Sequence, residues 1–131
     1  NLLKLLPSAF FLLIFTSCDP GQEINFVNKT DSDLTVKIIL KPNTQNYRLE
    51  RAAIKDSIVF DIKRDSVANI GFGIGVWSGK DIFDFVKSTK RIEFETKDIK
   101  TVYKSEKAMQ DILSNNVKGI FVKNLIEIEI K

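Results

Sequence analysis

From Glu23 onward, apolar side chains recur at every second position, and no other feature of the chain restricts its fold as strongly. Ile24 and Phe26 begin the pattern, and Leu34, Val36, Ile38 and Leu40 continue it. Ile58, Phe60 and Ile62 follow, then Ile92 and Phe94, and finally Ile126, Ile128 and Ile130. Most of the residues between them are polar or charged. A strand sends successive side chains to opposite faces, so this alternation predicts half-buried strands in antiparallel sheets with one solvated face.

Turn chemistry separates the strands. Asn28-Lys29-Thr30-Asp31-Ser32-Asp33, Lys63-Arg64-Asp65-Ser66 and Ser78-Gly79-Lys80-Asp81 all offer side chains that can bond their own backbone. Two helices are expected. Ser105 can cap a segment in which Ala108, Met109, Ile112 and Leu113 share a face, ending at Asn115-Asn116. Asp81 to Val86 is a shorter candidate of one or two turns. The stretch from Lys41 to Lys55 stays open: Pro42-Asn43-Thr44 reads as loop, while Arg48 to Ile54 fits a short helix or a further strand. The expected fold is mainly β: a small antiparallel β-sandwich, of immunoglobulin-like size, with seven or eight strands and one or two short helices. Glu93 and Glu95, like Glu127 and Glu129, line the outer faces of their strands. Because like charges directly opposite repel, these strands should pair with basic ones, such as those carrying Lys37 or Lys63.

Composition narrows the chemistry. The 131 residues suffice for one domain, and 44% hydrophobic with 28% charged residues is a globular balance. Twenty Lys and Arg against seventeen Asp and Glu leave a net charge of +3, too small to indicate nucleic-acid binding. Histidine is absent and there is one cysteine. Ser-His-Asp and Cys-His catalysis, His-based or Cys-rich metal sites and an internal disulfide are thereby excluded.

The N-terminal segment carries an address. Lys4 precedes an apolar run from Leu5 to Phe15, broken only by Pro7 and Ser8. Those eleven residues are about half of the ~20 that a membrane-spanning helix requires, and a short apolar run behind a cation and before small residues fits a secretory signal. The absent initiator methionine fits a slightly truncated start. Phe15-Thr16-Ser17-Cys18 resembles the lipobox of bacterial prolipoproteins. The resemblance implies cleavage before Cys18, diacylglycerol on its sulfur and acylation of the new amine. It divides the chain into a signal peptide at 1–17, a lipidated cysteine with a short tether at 18–22, and a sandwich domain at 23–131. Asp19 resembles the inner-membrane retention signal of enterobacterial lipoproteins, which implies a periplasm-facing attachment in the bacterial cell envelope.

Within the domain, Gly71-Phe72-Gly73-Ile74-Gly75-Val76-Trp77-Ser78-Gly79-Lys80 invites a nucleotide-binding reading that its spacing refuses. Counting back from Gly79 puts Ile74 where a phosphate loop needs glycine, and Asp81 stands where Ser or Thr should be. The dinucleotide fingerprint fails at Val76 and Ser78. The segment reads instead as a strand with Gly71, Gly73 and Gly75 on one face, which either admits a close neighbouring layer or opens a groove. Trp77 closes the strand and, with Gly71, Gly73 and Gly75, forms the candidate ligand or partner surface. Asp31 and Asp33 lack the glycine and the later glutamate of a calcium loop and read as turn residues. None of the nine serines sits in a GxSxG or SxxK pattern. The basic residues from Lys87 to Lys107 are interleaved with four acids, which describes a solvated surface.

No catalytic residue, metal site or cofactor is expected. The leading expectation is a non-enzymatic, lipid-anchored binding or structural module. It would be held to the membrane through acyl chains on Cys18 and would engage another envelope protein rather than nucleic acid. The alternative is a small-ligand or glycan-binding lipoprotein that uses strand 71–75 and Trp77.

Overall fold

A computed structural model describes residues 20–43, 46–119 and 121–131; the stretch expected to be a signal peptide, and Cys18, lie outside the described residues. Among the described residues, eight strands form two four-stranded sheets. The strands are β1 (Gly21–Asn28), β2 (Leu34–Leu40), β3 (Ser57–Ile62), β4 (Val67–Ile74), β5 (Thr89–Glu95), β6 (Lys100–Tyr103), β7 (Val117–Lys118) and β8 (Leu125–Ile130). One sheet has the order β4-β1-β8-β7 and the other β3-β2-β5-β6. The mainly β sandwich expected from the alternation is therefore present.

Its core is the set of alternating residues. Ile24 and Phe26 of β1, Val36 and Ile38 of β2, Ile92 of β5 and Ile126 of β8 are each at most 1% exposed. Phe26 crosses the interface to meet Phe60 and Phe94, with ring centroids 6.2 and 6.0 Å apart. Burial of this kind contributes about 25 cal/mol per Å² of apolar surface and supplies the main force joining the sheets.

One pairing departs from the antiparallel expectation. β8 runs parallel to β1, with Ile24 beside Ile126 and Phe26 beside Ile128. The two strands are joined by the whole rest of the domain, which gives the chain ample length for the crossover that a parallel pair needs.

Three helices occur among the described residues: α1 (Tyr47–Ala52), α2 (Gly79–Ser88) and α3 (Glu106–Ser114). α3 lies where the sequence puts it, with Ser105 Oγ accepting from the Ala108 N–H at 3.0 Å. The open stretch resolves as a helix after Asn46, whose side chain accepts from the Leu49 N–H. Ser78-Gly79-Lys80-Asp81 is not a turn between strands. It is the start of α2, closed by a capping box in which Ser78 Oγ accepts from the Asp81 N–H and Asp81 accepts from the Ser78 N–H, both at 3.2 Å.

The first strand also begins before Glu23, inside the stretch expected as tether. Gly21 and Gln22 belong to β1, and the Pro20 carbonyl already accepts the Gly75 N–H at 3.0 Å. Of the expected basic partners, Lys37 stands opposite Glu93 in the β2–β5 register. Lys63 does not take part: it pairs with Asp33 at 2.9 Å. Lys100 bridges Glu93 and Glu95, each at 3.6 Å, and Lys118 meets Glu127 at 3.3 Å.

The strand directions give the sandwich two unlike poles. The short turns at 29–33, 63–66 and 96–99 share one pole with the last residue of β8. The start of β1 and the longer connections that carry α1 and α2 share the other.

Candidate functional site

At the helical pole, α1 and α2 flank a cleft of about 420 Å³, within the usual range of small-ligand sites. Phe72 of β4, Trp77 and Phe85 of α2 supply its aromatic lining, while Tyr47 and Arg48 come from α1. Asp81, Asp84 and Ser88 recur at helical spacing, so α2 turns one polar edge toward the cleft.

The aromatic part is rigid. Trp77 is 7% exposed, its Nε1–H donates to the Glu23 carbonyl at 3.0 Å, and its ring meets Phe72 edge-on at 5.1 Å. Phe72 in turn packs on Phe85 at 6.3 Å. Such edge contacts fix ring orientation.

The polar edges are held by a second set of bonds. Gln22 sits on the inward face of β1 and, although polar, is only 2% exposed. Its Nε2–H donates to the Val76 carbonyl at 2.9 Å, and its Oε1 accepts from Arg48 Nη1 at 2.6 Å. The buried amide is thus satisfied and orients the guanidinium. Tyr47 stands 65% exposed beside that group, and hydrogen bonding from Arg48, reinforced by its charge, draws the phenol below its usual range.

Across the cleft, Asp84 pairs with Lys80 at 2.7 Å, and Asp81 also accepts from Ser78 Oγ at 2.8 Å. Lys87 reaches Glu106 of α3 at 3.1 Å and lies over the Phe83 ring at 5.2 Å. Hydrogen bonds from Lys87 and then Lys41 hold the Glu106 carboxyl below the ordinary carboxylate range. These charged groups place solvent-exposed ion pairs at the rim of the cleft.

The sequence-predicted surface divides in two. Gly71 and Gly73 are exposed, and among the described residues a Cβ at either would meet nothing within 4 Å, so no described layer approaches the glycine face. Glycine is needed at 73 for a different reason: its φ of +92° is a conformation that side chains rarely tolerate. Gly75 ends the segment against Gln22. Trp77 faces inward, lining the cleft rather than joining the three glycines. Sequence reasoning missed Gln22 and Arg48. The alternation carried back from Ile24 puts Gln22 on the core face, and that was the available signal. Arg48 offered none, because its role depends on how α1 folds back onto β1.

A second groove, about 310 Å³, lies at the turn pole, with Leu34, Phe94 and Ile99 against Asp31 and Asp98. Among the described residues, no group of three or more His, Cys, Asp or Glu could hold a metal ion, and no helix is long and apolar enough to cross a membrane. No family model, curated protein or solved structure matches this chain.

Proposed function

We propose that this chain is a lipid-anchored protein of the bacterial cell envelope whose sandwich domain is a non-enzymatic binding module, with the cleft between α1 and α2 as its ligand site. The observation that carries the binding reading is the cleft itself: a rigid aromatic lining beside a rim of oriented polar groups. Arg48, Asp81, Asp84 and Lys87 each have a protein partner, an arrangement suited to holding a ligand rather than to moving protons. The lining favours a small amphipathic ligand such as a sugar ring, with Tyr47 as the stacking face. The anchor reading is supported by the lipobox-like Phe15-Thr16-Ser17-Cys18 and by the single cysteine of the chain.

The tryptophan is also unique in the chain, so its emission reports on the cleft alone. Titration with neutral and acidic oligosaccharides is expected to give a saturable change in that emission, weakened by about tenfold in Tyr47→Ala, as loss of one stacked ring implies. No change with either class overturns the sugar reading. Incorporation of a palmitate analogue, present in the native chain and lost in Cys18→Ala, tests the anchor separately. A protein partner is the second reading, and the exposed Ile99 at the turn-pole groove, 67% accessible, is the observation in its favour.

A further inference from the structure

We propose that the helical pole is the face that lies on the lipid bilayer, with Ile74, Val76, Phe121 and Val122 entering the headgroup layer; this rests on the anchor reading of Cys18. Phe121 is 98% exposed, Ile74 69%, Val76 43% and Val122 41%. Isolated apolar side chains on a surface are ordinary, but these four belong to segments that the backbone ties together. The Pro20 carbonyl accepts the Gly75 N–H at 3.0 Å, and the Trp77 N–H donates to the Lys123 carbonyl at 2.7 Å. The Asn124 side chain donates to the Gly21 carbonyl at 2.9 Å, and its backbone N–H donates to the Val122 carbonyl at 3.0 Å. The point where the chain enters the domain and the four apolar side chains therefore form one edge.

The length of chain before that edge selects the occupant. Only Asp19 separates Cys18 from Pro20, and two residue steps extend about 7 Å at most. Acyl chains on Cys18 would enter the bilayer beside Ile74 and Val76, whereas the turn pole stands a full strand length away. Lys123 is exposed next to Val122, and a cation beside apolar side chains suits the boundary between headgroups and acyl tails. Phe121 then leaves water without needing a protein partner, and the cleft opens close to the membrane surface.

The test uses the full chain with Cys18 retained, reconstituted into vesicles of phosphatidylcholine and phosphatidylglycerol with and without doxyl-labelled lipid. An environment-sensitive fluorophore is placed by Phe121→Cys, Val76→Cys or, at the opposite pole, Asp98→Cys; an acylated Cys18 does not compete for the label. The expected result is a blue-shifted emission quenched by doxyl lipid at positions 121 and 76, and an unshifted, unquenched emission at 98. With acylation of Cys18 verified by mass spectrometry, equal and aqueous emission at 121 and 98 overturns the proposal and leaves the anchor standing. Shielding of position 121 from aqueous iodide without doxyl quenching also overturns it, because a protein surface then covers the edge. An unmodified Cys18 that labels freely, in a chain that does not float with vesicles, removes the anchor reading and this proposal together.

Discussion

Asn28 and Gln22 lie on the inward face of β1, at the two ends of the pair Ile24 and Phe26, and both are almost fully buried. Asn28 donates through Nδ2 to the Ser32 and Ile62 carbonyls, each at 2.9 Å, and its Oδ1 accepts from the Thr30 N–H at 2.9 Å and hydroxyl at 2.6 Å. One amide thus shapes the first turn and ties β1 to the facing sheet. Asn28→Ala leaves the buried Ile62 carbonyl without its donor and should cost about 1–3 kcal/mol, read as a lower urea midpoint. Glu93 makes a second test. Burial pushes its carboxyl upward, but the hydrogen bond from Arg91 and the charges of Lys100, Arg91 and Lys37 outweigh it and hold the group below its ordinary range. A lowered carboxylate stabilises the fold above the unfolded-state pKa, and that contribution disappears as pH falls through the folded-state value. Glu93→Gln is therefore expected to flatten the acid limb of the stability profile, measured as urea midpoints from neutral pH down through the carboxylate range. Turn-forming character was legible at Asn28 from its side chain; the reach to Ile62 was not, because that contact joins residues 34 apart in sequence.

For whole elements, period-two alternation was the dependable signal because burial of one face enforces it. β2, with its strict inward Leu34, Val36, Ile38 and Leu40, is the clearest instance. The helices were less legible. Arg48 to Ile54 contains Leu49, Ala52, Ala53 and Ile54, which satisfy either period, and the choice falls to the Asn46 cap and to a pocket for Leu49, which is fully buried. The start of α2 carries the same four residues a reverse turn would use, and only their reciprocal bonds distinguish a capping box from a turn. Ser78→Ala removes the acceptor for the Asp81 N–H and should lower stability by about 1 kcal/mol. Urea unfolding followed by circular dichroism measures this, with the cleft loosening as the first turn of α2 frays. The glycine segment misled in a specific way. Its alternation describes a strand correctly, but a strand that ends at Ile74 lets the chain turn at Gly75 and swing Trp77 inward, separating residues that one straight strand would have kept on a shared surface.

Across the whole molecule, the polarity of the sandwich could not be read from local pattern, since it depends on which strands become neighbours. The parallel docking of β8 between β1 and β7 is the decisive case: alternation in Leu125 to Ile130 says that a strand forms, not that it lies beside the first strand of the domain. Removing residues 125–131 takes Ile126 and Ile128 from the core and leaves β1 and β7 without their shared neighbour. The shortened chain is expected to lose cooperative unfolding altogether, visible as a flat thermal melt and rapid proteolysis.

That placement also sets a clock on biogenesis. Of the described strands β1 comes first and β8 last, so the β4-β1-β8-β7 sheet closes only when the two meet, whereas β3-β2-β5-β6 is built wholly from residues between them.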